Sequence, residues 1–292
     1  MPEHSTIRRS YAIAVLVLGG CSNPTGRAAL VVPPFVFVST DGAVPGIHRF
    51  DAGSTVRLSA DGVDDREPHS AAGRIVFTSR RDGNPEIYTA DLDLTGQQRL
   101  TTTSATDDAP ALDPTGATVA FVSTRSGAPR VWLMDANGAN PRMLATGSAS
   151  FVPEGSPAWS PGGDRIAFTS TRTNASQVFV IAVAGGPPLQ VSHEATGAFT
   201  PAWTADGRGL LYVALSGAPR VMRVSASGGN AAAFGVDDAG VSEPACRAGI
   251  CLAVLGALDG PRDVVALSAN GRSRSPVLVR DADDRHPAIL VP

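Results

Sequence analysis

The chain contains no lysine and has little charge of either sign. All 24 of its basic residues are arginine, and charged residues make up 17% of the 292 positions. Against 27 acidic residues this gives a net charge of −3, so the chain has no excess of positive charge for a phosphate backbone. The composition therefore argues against a nucleic-acid partner.

Sequence motifs for catalysis are also missing. No Gly-x-Ser-x-Gly segment occurs, which excludes the nucleophile elbow of a linked hydrolase, and no Gly-rich phosphate loop precedes a helix. No pair of histidines has metal-ligand spacing, the five being His4, His48, His69, His193 and His286. We therefore expect a binding protein, with an enzyme as the alternative.

No apolar run is long enough to span a membrane. Residues 11–18 form the longest N-terminal stretch, about 12 Å of helix against a hydrocarbon core of about 30 Å. Arg8 and Arg9 precede this stretch, and small residues follow it, which is the order of an export signal that is cleaved.

The Leu-Gly-Gly-Cys run at 18–21 resembles a bacterial lipobox. The resemblance implies a signal peptide at 1–20, lipidation of Cys21 and a tether over 21–34. Ser22 stands where an aspartate would mark retention at the inner membrane, so the outer membrane is implied. An ordinary secretory signal with a chance cysteine is the alternative.

The remaining cysteines, Cys246 and Cys251, flank a turn-like Arg-Ala-Gly-Ile segment between two candidate strands. Such a pair can face each other across a hairpin, and an oxidising compartment then favours a disulfide. Two buried free thiols are the alternative.

A repeat runs through the chain. PALDPTG at 110–116 recurs as PAWSPGG at 157–163 and as PAWTADG at 201–207, each followed by an apolar strand, a turn and a second strand. Degenerate copies lie on both sides, and the anchor prolines are Pro68, Pro110, Pro157, Pro201, Pro244 and Pro287, spaced 42, 47, 44, 43 and 43 residues apart.

Periods of about 40–50 residues with four short strands each are typical of propeller blades. The last copy is split, because the C-terminus supplies only its opening at 286–290 and residues 35–58 supply the rest. A blade shared between the termini would close the ring and remove exposed sheet edges. The repeat predicts an all-β fold over 35–292, a six-bladed β-propeller of four-stranded antiparallel blades.

The units resemble the TolB family of propeller repeats, most closely in SPAWSPGG at 156–163 and IAFTSTR at 166–172. The resemblance covers about 35–292. TolB carries an α/β domain before its propeller, whereas only 22–34 precede the first strand here, so we expect a stand-alone propeller. In TolB the channel face accepts an extended segment of a partner protein, which the resemblance implies for this chain too.

The residue before each anchor proline should face the central channel, and these residues are Glu67, Ala109, Ser156, Thr200, Glu243 and His286. Glu67, Glu243 and His286 come from three successive blades, and together they could hold a divalent cation, Ca²⁺ or Zn²⁺, or a basic group. A merely solvated polar rim is the alternative.

Acidic residues cluster just upstream of the anchors and predict a negative face that steers a cationic partner; simple turn chemistry is the alternative. They are Asp64, Asp65, Asp107, Asp108, Glu154, Asp237, Asp238, Asp283 and Asp284. The residues that we expect to contact a partner are Glu67, His69, Asp108, Glu154, Thr200, Glu243 and His286.

Large aromatic residues recur at equivalent repeat positions, and we expect them to pack between sheets rather than to bind sugar. They are Phe121, Trp132, Trp159, Phe168, Trp203 and Tyr212.

Together these patterns predict an exported protein, lipid-anchored in the bacterial envelope and facing the periplasm, that binds a protein or peptide at an acidic channel mouth. No cofactor is expected beyond the channel cation. The alternatives are a metal-dependent propeller hydrolase or lyase acting on a small or sugar-like substrate, and a carbohydrate or cell-wall binding protein.

Overall fold

The computed structural model of the chain consists of strands and their connections. It describes residues 32–40, 44–147, 152–216, 218–234, 241–247, 250–256, 262–267, 274–278 and 284–290. Nowhere in these ranges is there a helix long and apolar enough to cross a membrane. The predicted signal peptide, Cys21 and most of the predicted tether lie outside the described residues.

The strands follow the sequence repeat, and we number the blades 1 to 6 by their anchor prolines. The chain begins with β1 (Phe35–Ser39), β2 (Gly46–Asp51) and β3 (Ser54–Arg57). Blade 1 has β4 (Asp65–Ala71), β5 (Arg74–Ser79), β6 (Glu86–Asp91) and β7 (Gln98–Arg99). Blade 2 has β8 (Asp107–Leu112), β9 (Thr118–Ser123), β10 (Arg130–Asp135) and β11 (Arg142–Met143).

The next three repeats continue the pattern. Blade 3 has β12 (Glu154–Trp159), β13 (Arg165–Thr173), β14 (Ala175–Ala182) and β15 (Leu189–Gln190). Blade 4 has β16 (Ala198–Trp203), β17 (Gly209–Ser216), β18 (Ala218–Ser225) and β19 (Ala232–Ala233). Blade 5 has β20 (Val241–Arg247), β21 (Ile250–Gly256), β22 (Arg262–Leu267) and β23 (Arg274–Leu278), and β24 (Asp284–Ile289) follows.

Blade 6 is shared between the two ends of the chain. Its strand order is β24-β1-β2-β3, and Phe35 lies opposite Ile289 in the antiparallel pairing of β1 with β24. The predicted six-bladed propeller of four-stranded antiparallel blades, with a shared closing blade, is therefore confirmed.

The hydrophobic core is divided among the blade interfaces. Within the described ranges six apolar clusters occur, and each joins residues of two neighbouring blades. Phe35 and Phe37 of blade 6, for example, pack with Leu252 and Val264 of blade 5. Because neighbouring blades cover both faces of each blade, its inner strands contain continuous apolar runs, such as Ile-Val-Phe at 75–77.

The recurring aromatic residues lie in these interfaces, as predicted. Phe121, Phe168 and Tyr212 are fully buried, and Trp203 is 4% exposed. Trp132 and Trp159 pack at the edges of the clusters between blades 1 and 2 and between blades 2 and 3.

Candidate functional site in the central channel

A cavity of about 440 Å³ lies between the innermost strands β4, β8, β12, β16, β20 and β24. All six anchor prolines line it, and proline has a fixed ring and no N–H, so this wall is rigid and apolar. The residues after the prolines also line it, namely His69, Ala111, Ala158, Ala202, Ala245 and Ala288. A cavity of this size, with few polar groups on an apolar wall, has the character of a ligand site.

Each innermost strand is interrupted by a β-bulge at its anchor proline. In β8 the register shifts between Asp108 and Ala111, and equivalent shifts occur in the other five blades. A bulge bends the strand and changes the direction in which a side chain points.

The residue before the proline has a left-handed backbone conformation in each of the five bulges where that residue is fully described. The φ values are 51° at Glu67, 48° at Ala109, 48° at Ser156, 45° at Thr200 and 49° at His286. Such a conformation costs a non-glycine residue about 1–3 kcal/mol. All five residues line the cavity, and we call them the mouth residues.

Glu67 connects blade 1 to blade 2. Its Oε2 accepts hydrogen bonds from the Thr78 hydroxyl and from the backbone N–H of Ala109, both at 2.9 Å. Nearby, the backbone N–H of Leu112 donates to His69 Nδ1 at 3.1 Å. Both predicted partner-binding residues therefore line the channel, and both already have a structural contact.

Asp108 lies half-buried beside Glu67. Burial raises the pKa of Asp108 from 3.8 to about 7, and the negative charges of Glu67 and Asp107 add to the shift, while Arg80 opposes it. Among the described residues its carboxyl has neither a hydrogen bond nor an ion pair.

Other acidic residues upstream of the anchors are internal rather than part of a surface. Asp65 and Asp107 are fully buried, paired with Arg81 at 3.0 Å and with Arg125 at 2.7 Å. Asp284 is fully buried as well.

The burial of Glu154 contradicts the prediction that this residue contacts a partner. Its side chain is fully buried, with Arg130 at 3.1 Å from Oε2 and Arg172 at 3.1 Å from Oε1. A carboxylate enclosed by two guanidinium groups has no surface left for a partner, so this prediction was wrong. Of the predicted acidic face, only Glu67, Asp108 and Asp64 remain near the mouth among the described residues. Asp237, Asp238 and Asp283 lie outside the described residues.

The arginines that pair with these acids form a repeated unit that sequence reasoning missed. Arg81, Arg125 and Arg172 each follow a serine by two residues and donate to its hydroxyl from Nε. Each guanidinium also lies over an aromatic ring of its own blade, at 4.5 Å for Tyr88, 4.9 Å for Trp132 and 4.6 Å for Phe179. The recurring Ser-x-Arg was the available signal.

A second set of contacts joins neighbouring innermost strands. Trp159 Nε1 donates to the Ala111 carbonyl at 2.9 Å, and Trp203 Nε1 donates to the Ala158 carbonyl at 3.0 Å. The equivalent position in blade 5 is Cys246, which forms a disulfide with Cys251 across β20 and β21, as the turn-like spacing predicted. Trp159, Trp203 and Cys246 all line the cavity.

The predicted cation site is only partly described. Glu67 and His286 line the same cavity, while Glu243 lies on β20 with a side chain outside the described part of the structure. Among the side chains that are described, no three of His, Cys, Asp or Glu are close enough together to hold a metal ion. A cation at Glu67, Glu243 and His286 therefore stays a prediction.

Comparison with known proteins identifies the family. The family model described as the TolB beta propeller domain, PD40, matches residues 67–154 and 148–289, which is more than half of the chain.

Solved structures show the same fold at low sequence identity. TolB from Acinetobacter baumannii is 17% identical with a TM-score of 0.74, and the match covers 89% of this chain and 67% of that protein. A puromycin-hydrolyzing peptidase of Mycobacterium tuberculosis is 14% identical with a TM-score of 0.60, and the match covers 80% of this chain and 40% of that protein. An oligogalacturonate lyase in complex with manganese is 12% identical with a TM-score of 0.60, and the match covers 85% of this chain and 74% of that protein.

Proposed function

Because the chain belongs to the TolB β-propeller domain family, we propose that its central channel binds an extended segment of another envelope protein, as an interaction module rather than an enzyme. The mouth residues carry this proposal. Five side chains from five blades reach one cavity because their backbones are held in an uncommon conformation. Strain of this kind concentrates at functional positions, and a preorganised wall lowers the entropic cost of binding.

The proposal includes attachment to the envelope. In it Cys21 is the lipidated first residue of the mature chain, the tether over 21–34 carries the propeller, and the outer membrane is the site of attachment. Several acyl chains at about 0.8 kcal/mol per buried CH₂ would hold the protein there stably. Labelling with a radioactive fatty acid tests this step: the label should be lost in Cys21→Ser, and label that persists in that variant would contradict it.

Photo-crosslinking tests the binding function. A photoreactive amino acid replaces Ser156 at the mouth or, as the control, Met143, which is 43% exposed on the outermost strand of blade 2. In envelope extracts we expect position 156 to capture one protein, through a single continuous segment, and position 143 to capture none of it. Thr200→Trp, which narrows the same mouth, should abolish capture. Equal capture from both positions would contradict the proposal.

A second candidate is a metal-dependent hydrolase or lyase, because Glu67 and His286, which have metal-ligand side chains, line one cavity. Metal analysis of the purified protein, with calcium and zinc titrations followed by thermal melting, tests it. A stoichiometric ion that raises the melting temperature in wild type but not in His286→Ala would favour this candidate over the interaction module.

A further inference from the structure

The channel wall has two chemically different sides. Blades 2 to 4 present small or uncharged side chains there, including Ala109, Ser156 and Ala158. Blades 6 and 1 present the ionisable ones, His286, Glu67 and His69. Among the described lining residues, a charged ligand group would therefore meet an ionisable partner on one side only.

Two acidic groups at the junction of blades 1 and 2, Glu67 and Asp108, lack the basic partners that the internal acids have. Neither Glu67 nor Asp108 forms an ion pair with any described residue, in contrast to Asp65, Asp107 and Glu154. The basic group whose charge opposes the raised pKa of Asp108 is Arg80, whose side chain is 53% exposed and lies 3.7 Å from Asp64. The local field at this part of the mouth is therefore negative.

Glu67 is oriented before any ligand arrives. Thr78 and the Ala109 N–H both bind its Oε2, while Oε1 has no hydrogen bond within the described residues. A carboxylate fixed through one oxygen, on the wall of a cavity, can accept a charge-assisted hydrogen bond through the other with little loss of entropy.

We propose, on the premise that the channel binds a protein segment, that this segment places a basic side chain against Glu67, in the field of the neighbouring Asp108, and small or apolar side chains against the opposite wall of alanine, proline and tryptophan side chains. An arginine suits this position best, because its planar guanidinium has five donors in a fixed geometry and stays charged. The charge would specify how the segment is oriented in the channel, and the apolar wall would supply the contact area.

Capped synthetic hexapeptides test the inference. Their third position is arginine, the uncharged isostere citrulline, or glutamate, and every other position is an equimolar mixture of alanine, serine, proline, leucine and tryptophan. The strongest binders of the purified protein are then resynthesised singly in all three forms, and their Kd values are measured. We expect arginine peptides to bind about tenfold more tightly than their citrulline forms, and glutamate forms to bind weakest.

Matched variants locate the effect. Glu67→Gln keeps an oxygen that accepts from Ala109, so it should fold; it should lose most of the preference for arginine and bind citrulline peptides as wild type does. Asp135→Asn is the control, because it also removes one negative charge. Asp135 is exposed and pairs with Thr118 at one end of β9, whereas Asp107 pairs with Ser123 at the other end, so this variant should leave the preference for arginine unchanged.

A pH arm separates Asp108 from the other ionisable groups. The Asp108 carboxyl faces Glu67, Asp107 and Arg80, and a bound cation would favour its ionised form. Arginine peptides should therefore bind up to about tenfold more tightly at about pH 8 than at about pH 6. The decisive result is loss of this dependence in Asp108→Asn.

The possible failures are distinguishable. If arginine and citrulline peptides bind equally and Thr200→Trp stops both, the basic side chain is wrong and the channel function stands. If no peptide form binds at any pH, the proposed channel function falls together with the inference.

Discussion

The Glu67 carboxylate accepts a hydrogen bond of 2.9 Å from the backbone N–H of Ala109, 42 residues further along the chain. Both residues precede an anchor proline, and both have a left-handed φ, 51° and 48°. The bulge of blade 2 is thus held by the side chain at the bulge of blade 1. The same carboxylate therefore has a structural role through one oxygen and a proposed binding role through the other.

We predict that removing this carboxylate destabilises the ring. Glu67→Ala leaves the Ala109 N–H without its acceptor, which should lower the free energy of unfolding by about 1–3 kcal/mol. Glu67→Gln retains an acceptor and should lower it by about 1 kcal/mol or less. Urea unfolding of both variants checks this, and equal loss in the two would mean that the hydrogen bond is not the cause.

The arginine partners of the buried acids should matter more than surface pairs. Arg125→Met leaves the fully buried Asp107 carboxylate without its cation, for which we expect a loss of about 3–5 kcal/mol. The pair of Arg74 with Asp91, 39% and 52% exposed, is the matched control, and Arg74→Met should cost below about 1 kcal/mol.

A double-mutant cycle completes this comparison. Adding Asp107→Asn to Arg125→Met removes the uncompensated buried charge, so the double variant should be more stable than Arg125→Met alone. If the second substitution lowers stability further, the guanidinium contributes through stacking on Trp132, 4.9 Å away, rather than through charge.

Sequence periodicity was enough for the fold because propeller blades are local units. The β-rich run at 166–170 predicted the strand that extends over Arg165–Thr173, and the split repeat predicted the pairing of β1 with β24. Each of these features depends on neighbouring residues or on a copy that recurs at a fixed distance.

The site was less predictable because its determinants are distant in sequence. In the sequence Glu154 stands just upstream of an anchor proline, as an exposed acid would, and only the fold brings Arg172, 18 residues later, against it. The left-handed φ of Ser156 was equally hidden, since a residue before proline normally favours an extended backbone. The position of Thr200 and His286 at the channel mouth was predictable, because both stand before an anchor proline and equivalent repeat positions lie at equivalent places in the blades.

Asp108 should make stability fall as pH rises. Its pKa in the folded protein is about 7 against an ordinary 3.8, so the folded state keeps the proton more tightly than the unfolded chain does. The destabilising effect of Asp108 is therefore absent below about pH 4, where the carboxyl is protonated in both states. The free energy of unfolding then falls progressively between about pH 4 and pH 7.

Asp108→Asn removes this dependence and should match wild type near pH 4. Near pH 8 it should be more stable by on the order of 2 kcal/mol, below the full conversion of the pKa shift because Asp108 is only half-buried. Urea unfolding across this pH range measures the difference. Asp206→Asn is the control of opposite sign, because the Thr204 hydroxyl lowers the pKa of Asp206, and its loss should destabilise most at high pH.

The disulfide between Cys246 and Cys251 should stabilise blade 5 by a modest amount. It closes a short loop, a sequence separation of 5, so a chain-entropy argument gives about 2 kcal/mol. Replacing both cysteines by alanine should therefore lower the urea midpoint without loss of the fold. A reductant should lower the midpoint of wild type in the same direction and leave that of the double variant unchanged. A wild-type midpoint that does not respond to full reduction, verified by thiol titration, would show that the crosslink contributes nothing, and that the apolar packing of Cys246 against the interface of blades 4 and 5 carries the stability instead.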